Sequence, residues 1–97
     1  MTRPNDPTAD LPTGPKWDAR YAATDYIFGE APNAFLASQE RHFKRAMTAL
    51  VPGDGEGRNG VWLAGLGLDV TTVDASGVGV EKAKRLAETR GVRINAI

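Results

Sequence analysis

Apolar positions along this chain change their spacing several times, and each change predicts a new element. Phe35, Leu36, Gln39, Phe43 and Ala46 or Met47 recur at three- and four-residue steps behind Asn33, a capping residue, which predicts a helix over about 34–45. The short apolar run MTALV, residues 47–51, is stopped by Pro52 and reads as a buried strand. The stretch LVPGDGEGRNG then places four glycines and two carboxylates between Leu50 and Gly60. Val61, Trp62, Leu63 and Leu66 fit a short helix that Gly67 can end. The β-branched run LDVTTVD predicts a second strand closing on Asp74. Ser76 can cap a further helix with Val80, Ala83, Leu86 and Ala87 on one stripe, a Glu81–Arg85 pair four residues apart, and Gly91 as its stop. The alternation in VRINAI, residues 92–97, predicts a third strand.

Helix, strand, glycine loop, helix, strand, helix, strand is the order of a Rossmann-like three-layer α/β/α unit. Its parallel strands are expected in the order 3-2-1, joined by right-handed crossovers. Residues 33–97 form this partial domain. Residues 1–15 hold four prolines and few apolar side chains, which predicts a disordered leader. Residues 16–32 carry Trp17, Tyr21, Tyr26 and Phe28, an aromatic segment expected to pack on the core or to close over a ligand.

Composition changes the picture mainly by exclusion. A chain of 97 residues with 41% apolar content suits one small domain. Twelve basic residues balance twelve acidic ones, so no global field points to nucleic acid or an anionic membrane. Without cysteine there is no thiolate nucleophile and no cysteine-ligated zinc. The single His42 lies among Glu40, Arg41 and Lys44, which favours a solvated side chain over a metal ligand or general base. No apolar run approaches the length of a membrane span or a secretory signal core, so a soluble cytoplasmic protein is the expectation.

The glycine loop carries the candidate chemistry. Gly55 to Gly60 fits GxxxxG, but Val61 and Trp62 stand where a phosphate-binding P-loop needs Lys and Ser or Thr. The same residues match the dinucleotide pattern GxGxxG, with Asp74 nineteen residues after Gly55. Gly53 to Gly57 also matches the GxGxG loop that receives S-adenosylmethionine, and a purely structural tight turn is a third reading. Charge favours the adenosyl ligand. A diphosphate would face Asp54 and Glu56, at roughly 3 kcal/mol per unit repulsion at about 5 Å and an effective dielectric of 20.

The segments WDARYAATDYIFGEAPNAFL, DGEGRNGVWLAGLGLDVTTVDAS and VGVEKAKRLAETRGV together resemble class I S-adenosylmethionine-dependent methyltransferases. Within that family they are most similar to the branch of tellurite-resistance and thiopurine methyltransferases. The resemblance covers about residues 17–97. It implies that Gly53, Asp54, Gly55, Gly57 and Asn59 in the loop, with Asp74, Ala75 and Ser76 after the second strand, surround the cofactor, Asp74 binding its ribose. It further implies that Trp17, Arg20, Tyr21 and Tyr26 cap the cofactor or the substrate entrance, and that the methyl acceptor is a small molecule. It supplies no catalytic residue, and the sequence supports no metal site.

Departures from the family are equally specific. Val51 replaces the acid usual two residues before the first loop glycine, and Gly77 replaces a proline common after the capping serine. Members run to about twice this length around a seven-stranded sheet. The chain is therefore expected to be truncated, an N-terminal half whose first strand is an exposed edge open to self-association. An NAD(P)-binding oxidoreductase fragment and a non-catalytic remnant are the alternative readings.

Overall fold

The computed structural model describes residues 13–97. Their order is α1 (Thr13–Tyr21), α2 (Ala34–Ser38), a 3-10 turn (Glu40–His42), β1 (Thr48–Pro52), α3 (Arg58–Gly65), β2 (Asp69–Val73), α4 (Gly77–Arg90) and β3 (Asn95–Ala96). Most of the leader expected over 1–15 lies outside the described residues, and from Thr13 the backbone is helical.

The sheet is parallel, with β2 between β1 and β3. Thr48 to Pro52 align with Asp69 to Val73, and Thr71 and Thr72 with Asn95 and Ala96. Side chains alternate across it. Val70 and Thr72 point to the helical side and are buried, whereas Leu50 is 67% exposed on the other face, with Val73 and Ile97 also exposed. Two apolar clusters hold α3 and α4 to the sheet. One joins Val61, Leu86 and Ala87; the other joins Leu63, Leu68 and Val70 and gathers Leu36, Phe43, Ala49 and Val51. Among the described residues the apolar packing lies on the Val70 side of the sheet, and the Leu50 side is left exposed.

Local rules account for the helix caps and stops. Asn33 Oδ1 accepts from the N–H groups of Phe35 and Leu36 at 3.0 and 3.1 Å, Ser76 Oγ accepts from Gly79 N at 3.0 Å, and Gly91 ends α4 at φ 66°. The helix expected over 34–45 stops at Ser38 instead. Leu36 and Phe43 reach the second cluster from opposite sides of the break, Phe43 meeting Trp62 edge-on at 6.2 Å, while Phe35 is left 74% exposed. A continuous stripe had no continuous core to face. The third strand pairs over two residues only, although Val92, Ile94 and Ala96 keep the alternating burial that the sequence predicts. Glu81 pairs with Lys84 at 3.3 Å rather than with Arg85.

The turn before β1 is unusual. Ala46 adopts φ 72°, the left-handed region that a Cβ disfavours, and its N–H donates to Gly67 O at 2.9 Å. Asp69 N donates to Met47 O at 2.8 Å in the next rung. No helix among the described residues is long and apolar enough to cross a membrane.

Candidate functional site

In a parallel α/β sheet the loops at the carboxyl ends of the strands converge on one edge, where ligands characteristically bind. Here that edge gathers the β1–α3 loop and the residues after β2. Gly53 N donates to Val73 O at 2.7 Å, and Gly55 N donates to Asp74 Oδ2 at 2.8 Å. Asp74 Oδ1 accepts from Ser76 N at 2.9 Å. One carboxylate therefore pins the glycine loop to the entry of α4.

Two glycines are required by geometry. Gly53 has φ 67° and open space where a side chain would stand, on the wall of a cleft of about 490 Å³. Gly55 has φ 57°, and a Cβ there would lie 2.5 Å from the Tyr21 hydroxyl. The cleft is bounded by Gly53, Val73, Asp74 and Ala75 on the sheet side and by Trp17, Tyr21 and Phe28 on the other. Trp17 and Tyr21 stack with centroids 5.4 Å apart. Burial, followed by the carboxylates of Asp74 and Glu56, pushes the Tyr21 hydroxyl above its ordinary pKa and keeps it a neutral donor.

The remaining sequence-nominated residues stand behind this surface or beside it. Asp54 is 7% exposed; its Oδ2 accepts from Gly60 N at 3.0 Å, and its Oδ1 has no hydrogen-bond partner among the described residues. Burial pushes its pKa up to about 6, with the Gly60 and Asn59 N–H groups pulling the other way. Gly57 caps α3, and Asn59 Oδ1 accepts from Asn33 N at 2.8 Å, tying α3 to the start of α2. Ser76 is fully buried. The Arg20 guanidinium lies 4.5 Å above the Trp17 ring, outside the cleft lining. Tyr26 lines a second cleft of about 310 Å³, with Lys82 and Arg85, and its hydroxyl donates to Lys82 O at 3.2 Å.

Two residues, Asp18 and Lys82, were given no role by sequence reasoning, and Phe28 was named only as part of the aromatic segment. Phe28 completes the aromatic wall. Asp18, in α1, accepts from Ser76 Oγ and Val78 N. Lys82 is buried, forms an ion pair with Glu56 Oε2, and also donates to the carbonyls of Tyr21, Ala23 and Asp25. A signal for Lys82 existed: it falls on the stripe of Gly79, Ala83, Leu86 and Ala87, where a lysine needs a buried partner. The pairing also corrects the charge argument. Lys82 neutralises Glu56 and Asp54 is tucked beneath α3, so the loop offers the cleft mainly backbone and opposes a diphosphate less than the sequence implied.

The chain has the Rossmann-like fold of S-adenosylmethionine-dependent methyltransferases. It superposes with a TM-score of 0.75 and 26% identity on a protein studied for the conversion of a disulfide bond into a thioacetal group during echinomycin biosynthesis, over 87% of this chain and 38% of that one. A methyltransferase from Thiobacillus denitrificans in complex with S-adenosyl-L-homocysteine matches at TM-score 0.63 and 25% identity, over 91% of this chain and 36% of the other. A TehB-like methyltransferase from Corynebacterium glutamicum matches at 0.53 and 26%, over 86% and 40%. This chain thus spans less than half the length of these proteins. No family model matches it. No curated protein matches it by sequence.

Proposed function

We propose that this chain is the cofactor-binding portion of an S-adenosylmethionine-dependent methyltransferase acting on a small-molecule acceptor. The observation that carries the reading is Asp74: it fastens the glycine loop and borders the same cleft as the open side of Gly53. Each Asp74 oxygen accepts one backbone N–H and retains acceptor capacity for a ribose hydroxyl. Gly53 leaves room for a ligand to approach the peptide backbone, and Trp17, Tyr21 and Phe28 supply aromatic faces on the other side. These residues fit an adenosyl ligand of mixed polarity. S-adenosylmethionine, when bound, supplies an electrophilic methyl group on a sulfonium. The chain's own contribution is to orient that ligand and exclude water beside it. A small thiol or chalcogen species is the acceptor class that the proposed family branch suggests.

Calorimetry with S-adenosylhomocysteine and with NAD tests this directly. Heat from the first is expected, and Asp74→Ala should weaken it by about 10- to 100-fold, the value of one or two hydrogen bonds to a charged acceptor. Unchanged affinity in that variant would remove the basis of the reading. Binding of NAD alone would establish the dinucleotide alternative instead.

We also propose that β1 is an association edge for a second copy. The rungs to β2 use Met47 O and Gly53 N, so the peptide groups of Thr48, Leu50 and Pro52 turn away from β2. The strand TALVP carries no charge. A two-fold antiparallel pairing centred on Leu50 would let Leu50 bond to its own copy and Thr48 N–H reach Pro52 O, with Pro52 needing no acceptor. Sedimentation should show a concentration-dependent dimer, and Leu50→Lys should shift it at least about tenfold toward monomer through charge repulsion at the centre. A monomer for the unsubstituted chain at millimolar concentration would refute the pairing.

A further inference from the structure

The W-D-x-R-Y segment contains one carboxylate that the cleft does not use. Asp18 lies in α1 between two cleft residues, one position after Trp17 and one turn before Tyr21. Its Oδ1 accepts from Ser76 Oγ at 2.5 Å and from Val78 N at 3.1 Å. Ser76 has no exposed surface, and its Oγ also accepts from Gly79 N at 3.0 Å. The N–H of the same serine donates to Asp74 Oδ1, while Asp74 Oδ2 takes the N–H of Gly55. A continuous line of hydrogen bonds therefore runs from α1 through Ser76 to the acid of the cleft and into the glycine loop.

We propose that Asp18 is a positioning residue that docks α1 as the aromatic wall of the cleft and couples this docking to ligand binding beside Asp74. The inference rests on the functional reading above for the identity of the ligand, but not for the docking itself. α1 packs chiefly on α4, and a helix docked through one neighbour can open at a free energy below that of global unfolding. Contacts from Trp17 and Tyr21 to a ligand exist only while α1 is docked, so a ligand using them stabilises docking, and docking strengthens the ligand by the same factor. The Ser76 hydroxyl and the Val78 N–H hold the Asp18 carboxyl below its ordinary pKa, which favours the charged acceptor that the latch requires at neutral pH.

A residue that merely capped α4 would behave differently. Its loss would loosen α4 and lower global stability, and ligand affinity would not track the state of α1.

The experiment uses the full chain and two variants, Asp18→Ala and Asp18→Asn. Hydrogen exchange of the amides of residues 16–21 is measured first without ligand, then with saturating S-adenosylhomocysteine, alongside the urea midpoint and calorimetric affinity. Asp18→Ala should speed ligand-free exchange of 16–21 by about tenfold or more, as loss of hydrogen bonds to a charged group predicts, and should weaken the ligand in proportion to the fall in the docked fraction that the exchange reports. Asn retains an oxygen that can accept both bonds and should keep affinity within about threefold. In the unsubstituted protein the ligand should slow exchange of 16–21, and in Asp18→Ala it should slow it less.

Unchanged ligand-free exchange in Asp18→Ala would overturn the latch whatever the ligand proves to be. Equal slowing of 16–21 exchange by the ligand in Asp18→Ala and in the unsubstituted protein, unchanged affinity in a variant whose exchange shows α1 mostly undocked, or exchange rising chiefly across residues 77–90 would overturn the coupling. If the unsubstituted protein binds NAD instead, the functional reading fails and the same comparison with NAD decides the coupling. Binding of neither ligand would overturn it.

Discussion

Replacing Lys82 by Met is expected to destabilise the chain by about 3–5 kcal/mol, the usual result of removing one member of a buried ion pair. The side chains of Lys82 and Glu56 are 4% and 3% exposed. Without the ammonium, Glu56 keeps among the described residues only the N–H of Ile27, at 2.8 Å to Oε1, and its Oε2 loses its counter-charge inside the protein. The carbonyls of Tyr21, Ala23 and Asp25 lose their donor in the same step. The damage therefore falls on the segment that carries Tyr21 and Phe28 as well as on the glycine loop. Urea unfolding of Lys82→Met, Glu56→Gln and the double variant separates the contributions. The double variant should recover part of the loss, because it removes the unpaired charge while leaving the carbonyls unsatisfied. A single-variant loss below about 1 kcal/mol would show that the pair is solvated in solution.

The second large effect is a dependence on pH. Burial raises the Asp54 pKa from 3.8 to about 6, so in the folded state this carboxyl retains its proton after the unfolded chain has released it. Between about pH 4 and pH 6 the folded state binds more protons than the unfolded one, and stability falls as pH rises. A shift of roughly two units corresponds to about 3 kcal/mol lost by neutral pH. Asp18 acts in the opposite sense, since its lowered pKa gives stability that is present above its unfolded value and disappears on acidification. The difference between the unsubstituted chain and Asp54→Asn isolates the Asp54 contribution. Asparagine can still accept from Gly60 N but does not ionise, so the variant's relative stability should increase from pH 4 to pH 7. Parallel stability curves for the two proteins would contradict the buried-acid description.

Legibility in the sequence followed the range of each interaction. The caps at Asn33 and Ser76, the stop at Gly91 and the placement of Asp74 after β2 depend on neighbours within a few residues, and all could be read directly. Gly53 was legible as a loop glycine because a positive φ beside a strand end is a local demand. Asp18 and Ser76 lie 58 positions apart, and Lys82 meets carbonyls 57 to 61 positions upstream, so no periodicity encodes either contact. The error over 34–45 had a different origin: three- and four-residue spacing reports that Leu36 and Phe43 share a cluster, not that one unbroken helix carries them there. Asp54 and Glu56 were visible as charges, but their direction was not. Only the folded loop turns one beneath α3 and the other onto Lys82.

Ala46 closes the end of the sheet that lies away from the cleft. Holding a non-glycine residue at φ 72° costs on the order of 1 kcal/mol, yet the strain lets the turn entering β1 clasp the turn entering β2. Alignment of the first two strands is thereby set at the margin remote from Gly53 and Asp74. The opposite margin carries a clasp of its own, Gly53 N to Val73 O, so the two strands are held in step at both ends and the loop fastened by Asp74 meets a ligand as a preformed surface.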